Sequence, residues 1–480
     1  MDMEKESELT SKQRKFIMLP LLIGGFIALL NETLLNVAFP QLEDSLNVST
    51  STVQWLATAY MLIVGILVPV VAFLLKTFST KKLYLMAMTL FIFGTIGCGF
   101  SQSFLALLIF RMIQGAGTGM LIPILMDTVL EIYPPAKRGA ALGMSMIVVV
   151  VAPGVGPTLS GLVLQYFNWH WLFFLILPIA LFTTTLGLFT LKNVTAVTKP
   201  KIDILSVILS TIGFGGLIFG ICSIENLGFF NAVVLISLVC GIVGLILFAK
   251  RQSVLKQPML ELRSFRYPMF TLGTVIIFIT YMMPFAINII LPTFMQSALG
   301  MAPFQAGLAL LPGCLVNVVL TPLSGRIYDK IGGRLPIIIG FVALIITMFG
   351  FSRVSESTTF IVIVVFQVCM SLGISMISTP AQTNSLNQLP KEYNVHGVAI
   401  INTIQQIAAA FGSSVFIGLM GTVKEKHLEE FENPDISQQH AAIVSGVDMA
   451  FTVALILVVI GLVLSFFIKQ DRKEQFISNL

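Results

Sequence analysis

Fourteen apolar stretches run along this chain, at 16–39, 53–75, 83–100, 105–131, 140–164, 171–191, 204–224, 230–249, 270–295, 304–325, 335–351, 359–381, 397–420 and 449–468. At about 1.5 Å of rise per residue, a helix of such length crosses a hydrocarbon layer roughly 30 Å thick. The pattern predicts an all-α integral membrane protein with fourteen transmembrane helices. Polar interruptions inside the stretches are the informative positions. Glu32 is the only acid in 16–39. A charge within a span costs roughly 2.5–3.5 kcal/mol on insertion scales, so such groups usually line a pathway or carry protons. The alternative for Glu32 is a carboxylate that snorkels to the outer headgroups.

Composition agrees with the pattern. The chain is 56% hydrophobic and 11% charged, with a mean hydropathy of +0.94, whereas soluble proteins carry about a quarter charged residues. With a cytoplasmic N-terminus and an even number of spans, both termini lie inside. Of the 28 Lys and Arg, only Arg353, Lys424 and Lys426 then fall outside, and only Arg111 falls within a span. This is the positive-inside distribution, so the net charge of +5 reflects orientation and predicts no nucleic-acid partner. The first apolar stretch is too long for a cleavable signal and lacks a small-residue cleavage site. Cys98, Cys222, Cys240, Cys314 and Cys369 all lie in spans without paired spacing, which predicts neither disulfide nor metal. His170, His396, His427 and His440 sit in loops or at span ends, leaving carboxylates as the intramembrane proton carriers.

A weak internal repeat organises the spans. Laying 34–40 over 286–292 aligns Asn36 with Asn288 and Pro40 with Pro292. A nearly equal displacement aligns Pro69 with Pro322 and 72–76 with 325–329. The expected layout is a six-helix bundle at 1–192, two inserted helices with their flanking loops at 193–266, and a second six-helix bundle at 267–480. Parallel repeats with a site at their interface are one transporter architecture. Glu32 falls opposite Pro284, so the acid has no counterpart in the second half.

Several motifs carry a resemblance. Gly325-Arg326-Ile327-Tyr328-Asp329-Lys330-Ile331-Gly332-Gly333-Arg334 resembles the Gly-x-x-x-Asp-(Arg/Lys)-x-Gly-x-(Arg/Lys) signature of the major facilitator superfamily. Its glycines permit a tight turn, and its acid can clip to a neighbouring helix end. The matching first-half loop has Lys76 for the acid and Ala72 and Ser79 for the glycines, so a cytoplasmic gate is expected at Gly325, Asp329, Gly332 and Arg334. Arg111-Met112-Ile113-Gln114-Gly115 is similar to the superfamily's Arg-x-x-Gln-Gly element, which is associated with proton coupling. Ala152-Pro153-Gly154-Val155-Gly156-Pro157-Thr158-Leu159-Ser160-Gly161 is similar to the motif of drug antiporters. There Pro153 and Pro157 remove helix hydrogen bonds, and Gly154, Gly156 and Gly161 admit a close neighbour. Trp169-His170-Trp171 and Phe173 resemble a run found in fourteen-helix drug:proton antiporters. Asn31-Glu32-Thr33-Leu34-Leu35-Asn36-Val37-Ala38-Phe39-Pro40 resembles that family's Asp-x-Thr-x-x-Asn-x-Ala-x-Pro motif. Asn31 stands where the motif has its acid, and Glu32 is about 100° further around the helix. The nearest form is the lincomycin-resistance and multidrug efflux group of Gram-positive bacteria, and the likeness spans about residues 16 to 468.

Counted from the outer ends at Phe39 and Phe104, Glu32 and Arg111 both lie roughly 10 Å deep at helical rise. The expectation is a proton-binding Glu32 modulated by Arg111; the alternative is a static ion pair. Asn31, Asn36, Gln114, Asp127, Asn288, Gln296, Gln382, Asn402 and Gln405 are candidates for lining a substrate cavity, although buried amides also serve as interhelical glue. Glu131, one turn beyond Asp127, reads as solvated, as does the outer loop 421–448.

The resemblance implies a proton-driven exporter of amphipathic antimicrobials, monomeric, resident in a bacterial plasma membrane and without a cofactor beyond the proton gradient. Its partners would be small-molecule drugs, protons and the bilayer. Export of an endogenous lipid or metabolite is the alternative. A membrane enzyme or sensor is a different class. Against it, the chain has no His-Glu-x-x-His, no Gly-x-Ser-x-Gly and no Gly-Lys pair for a Walker A loop.

Overall fold

The computed structural model describes residues 10–133, 135–191, 193, 203–227, 230–255, 261–390, 393–431 and 435–469. Among them no strand occurs. The first helices are α1 (Ser11–Leu34), α2 (Phe39–Leu46), α3 (Thr50–Thr77), α4 (Thr80–Phe100), α5 (Phe104–Ile132), α6 (Pro135–Leu164) and α7 (His170–Thr190). Then come α8 (Ile204–Leu227), α9 (Ala232–Val254), α10 (Pro268–Ser297), α11 (Pro303–Ile331), α12 (Arg334–Phe351), α13 (Phe360–Asn387), α14 (Asn394–Leu428) and α15 (Ile436–Ser465). Twelve segments are long and apolar enough to cross a membrane, with shorter apolar stretches at Thr52–Leu67 in α3 and Val151–Leu164 in α6. Fourteen long helices thus stand where the fourteen apolar stretches predicted them.

Local chemistry starts and stops these helices. Thr10 and Gln13 form a reciprocal capping box on α1, as do Asp435 and Gln438 on α15. Ser49 and Ser103 cap α3 and α5 through the amides of Thr52 and Ala106. Gly332, at φ 77°, ends α11 in a conformation that disfavours any side chain.

One prediction needs correcting. The apolar stretch 16–39 is not one helix: α1 stops at Leu34, a 3-10 turn covers Asn36–Ala38, and α2 continues from Phe39. Pro40 has no amide hydrogen for the Asn36 carbonyl, so the α-helical ladder cannot pass through. The break puts Asn36 into a fully buried turn.

Helices α1 and α3–α7 pack among themselves, and α10–α15 do likewise. Tyr84 of α4 ties the first group together, its hydroxyl meeting the carbonyls of Pro20 on α1 and Thr183 on α7, each at 3.2 Å. The two groups meet along two seams, α3 against α14 and α6 against α11. The α8–α9 pair packs closely through Gly213, Gly216, Gly241 and Gly244, where an added Cβ would meet the opposing helix. Its α8 face lies over the first seam: Ile218 packs with Met61 of α3 and with Ala409 and Ala410 of α14. Trp55 and Phe219 add a ring contact at 5.5 Å.

Candidate functional site

Arg111 is the largest wholly buried side chain. Burying a guanidinium demands partners, because its desolvation costs several kcal/mol. Its Nη1 donates to the Asn31 carbonyl at 3.3 Å and to Gln114 Oε1 at 2.9 Å. Its guanidinium carbon stands 4.1 Å from the centre of the Tyr60 ring, a cation–π contact between α5 and α3. Tyr60 is fixed in turn by its hydroxyl, 2.6 Å from Thr118 Oγ1. Gln114 donates onward to Thr95 Oγ1 at 2.7 Å. This contact is possible because Gly94 lets α4 and α5 touch, a Cβ there falling 2.6 Å from the Gln114 amide nitrogen.

Glu32, one residue after Asn31, is 2% exposed, and its Oε1 has no hydrogen-bond partner among the described residues. The carboxylate and the guanidinium are near enough for their charges to act on each other. No ion pair joins them, however: the pairs among the described residues are Arg251–Asp203 and Arg263–Glu261. Arg111 Nε and Nη2, both Asn31 side-chain amide atoms and both Asn36 side-chain amide atoms are also buried without hydrogen bonds among the described residues. A set of unsatisfied polar atoms this dense is costly, and it marks a place that water, a proton or a ligand can satisfy.

The antiporter-like motif presents two faces of α6, one to α1 and one to α11. Pro157 lacks the amide hydrogen that would meet the Pro153 carbonyl, and the Thr33 hydroxyl of α1 donates to that orphan at 3.0 Å. Gly156 packs on Thr33 itself. Gly154 faces Cys314 of α11, Gly161 meets Pro303 and Phe304, and Thr158 Oγ1 donates to the Gly307 carbonyl at 3.0 Å. Helix α6 therefore touches α1 and the second half at once.

The other candidates are scattered. Gln114 serves as a bridge between Arg111 and Thr95. Gln296 binds the Val37 carbonyl at 3.0 Å, joining α10 to the 3-10 turn. Asp127, Asn288, Gln382 and Gln405 are half-buried, whereas Asn402 and Glu131 are exposed. A small apolar gap lined by Met283, Ile287, Met348, Phe416 and Phe451 lies inside the second group and touches none of them. The segment expected to form the gate is mostly helical, with Asp329 on the last turn of α11 and Arg334 opening α12; both are exposed, and Asp329 makes no ion pair among the described residues. What anchors this segment is Tyr328, buried under Gly333 and bonded by Asn387 Nδ2 at 3.1 Å. The sequence reading missed Tyr60, Thr118, Thr95 and Tyr328; an aromatic or hydroxyl residue in an apolar span gives no signal of its partner. The side chains of Ala72 and Lys76 lie outside the described residues.

Comparison with known proteins follows the same lines. The family model of the Major Facilitator Superfamily matches residues 21–413. The chain belongs to the major facilitator superfamily. It is thus a multi-pass membrane transporter and not an enzyme. It is 44% identical over 461 residues to the lincomycin resistance protein LmrB of Bacillus subtilis (strain 168), covering 95% of this chain and 96% of that one. It is 41% identical over 451 residues to the LmrB protein of Listeria monocytogenes, covering 94% and 96%. The multidrug export protein EmrB of Escherichia coli (strain K12) shares 28% over 438 residues, covering 90% and 86%. Among solved structures of this fold, a peptide transporter POT in complex with sulfate superposes with a TM-score of 0.69 at 16% identity, covering 95% of each chain. A bacterial homologue of the human lysosomal transporter Spinster does so at 0.68 and 14%, covering 96% of this chain and 97% of that one.

Proposed function

We propose that this chain is a multidrug exporter of a bacterial plasma membrane that expels amphipathic antimicrobials, lincosamides among them, in exchange for protons. Likeness over nearly the whole chain to proteins named for lincomycin resistance and multidrug export supports the cargo. The observation that carries proton coupling is Glu32: a carboxylate within a span, its Oε1 without a hydrogen-bond partner among the described residues, beside a cation held by other groups. Such a carboxylate can take up and release a proton without dismantling the structure around it.

The units that move are the bundles 1–192 and 267–480, with the hairpin in 193–266 between them, and the protomer acts alone. Hydrogen bonds between the bundles support a state closed at the end remote from the termini. They join Gln296 to Val37, Thr158 to Gly307, Gln54 to Ser414 and Lys424 to Thr50. With cytoplasmic termini, this state accepts cargo from inside. Protonation of Glu32 from outside then favours release of the drug, and its deprotonation toward the cytoplasm restores the loading state. Drug efflux in inside-out vesicles tests the coupling. An imposed proton gradient is expected to drive transport in the wild type and to have no effect in Glu32→Gln. Equal gradient-driven transport in the two would overturn the coupling.

A further inference from the structure

We propose that Lys424 is a gating residue of the transport cycle, latching the two bundles at their outer end through Thr50 and Glu43. The proposal rests on the alternating-access reading above. Helix α14 is 35 residues long, about 52 Å at helical rise and so several turns longer than a bilayer core requires. Its last turns stand where the outer loop was expected to be merely solvated. From there Lys424 Nζ donates across the seam to Thr50 Oγ1 at 3.3 Å, and the same hydroxyl donates to Glu43 Oε2 at 3.0 Å. One hydroxyl thus accepts from an ammonium and donates to a carboxylate, an arrangement in which each bond polarises the other.

The geometry ties three elements. Glu43 lies on α2, beyond the break in the first span, Thr50 opens α3, and Lys424 belongs to the other bundle. Thr50 is 5% exposed, and Glu43 Oε1 is buried with no hydrogen-bond partner among the described residues. One and two turns further along the same face of α3, Gln54 and Thr58 continue the seam through bonds of similar length, 3.3 and 3.4 Å to Ser414, but between neutral groups. The charges therefore sit at the rim, where opening would begin. Parting the bundles at this end separates Lys424 from Thr50 and leaves the ammonium without that hydroxyl, while Glu43, in the same bundle as Thr50, keeps its bond. Latch strength then sets the population of the outward-open state, in proportion to what the closed state loses.

The test is labelling of a buried reporter. Thr58→Cys is placed in a background whose five native cysteines are replaced by serine, and a membrane-impermeant maleimide is applied from outside. Thr58 is wholly buried here, so it reacts only when the seam opens. Lys424→Ala and Thr50→Val are expected to raise the labelling rate about fivefold or more, the scale of one charge-assisted hydrogen bond. Lys424→Arg is expected to stay near the wild-type rate, and the exchange Glu43→Lys with Lys424→Glu to return toward it. An unchanged rate in both Lys424→Ala and Thr50→Val, at wild-type membrane levels, overturns the latch. Labelling that rises as expected in a protein whose wild type moves no drug in vesicles overturns the export reading and supports the latch.

Discussion

Arg111 gives its Nη1 hydrogen bond to the backbone carbonyl of Asn31, 3.3 Å away, while the carboxylate of the very next residue, Glu32, forms no ion pair among the described residues. A carbonyl cannot be protonated away at physiological pH. The cation therefore keeps its anchor whether Glu32 is charged or neutral, and only the field at the carboxylate changes.

Arg111→Lys should be a severe change despite preserving charge. The ammonium cannot reproduce the planar contact on Tyr60 together with the paired donation to Asn31 and Gln114. Gradient-driven efflux is expected to fall about tenfold or more, with similar amounts of protein in the membrane; near-normal efflux would show that only the charge matters.

Moving the acid tests how strictly the site is placed. In the double variant Asn31→Asp, Glu32→Ala, the carboxylate occupies the position that the related motif uses, on the residue whose carbonyl holds Arg111. Coupled efflux is expected to return in part relative to Glu32→Ala alone. Complete inactivity of the double variant, if it is inserted normally, would mean that the acid must approach from Glu32's side of the helix.

Thr33→Val removes the donor for the orphaned Pro153 carbonyl and should cost about 1 kcal/mol, read as a lower unfolding temperature in detergent. Adding Pro157→Ala supplies an amide hydrogen to the same carbonyl. The second change should therefore recover part of the loss, so the two effects are non-additive. Strict additivity would rule out that carbonyl as their common partner.

Asp203 binds the Arg251 guanidinium through two bonds of 2.7 and 2.6 Å and accepts from Ser206. The Arg251 hydrogen bonds hold its carboxyl below the ordinary value of 3.8. A depressed folded-state pKa stabilises above the ordinary value and loses that contribution as pH falls through the folded one. Asp203→Asn is expected to lower the unfolding temperature slightly at pH 7 and to make no difference near pH 2. A pair so near the surface is weak, and the difference should shrink in high salt.

Much of this was legible beforehand. Helix number and order followed from apolar length. Gly332 announced its turn because only glycine accepts that φ cheaply. Two kinds of information were missing. The receiving atom was hidden: depth puts Arg111 level with Glu32, but nothing in a side-chain pattern reveals that a backbone carbonyl takes the bond. The destinations of Gln296 and Lys424 were hidden too, since their partners lie 259 and 374 positions away in the chain. An extramembrane lysine looks solvated until the helix beneath it proves longer than the bilayer.

The α8–α9 pair lies across the junction of α3 and α14, touching a helix from each bundle. Any rocking of the bundles would have to slide at least one of those contacts. That flank is walled by an extra layer of helix, while the opposite one is only α6 against α11. The transporter thus has a thick side and a thin side in the plane of the membrane.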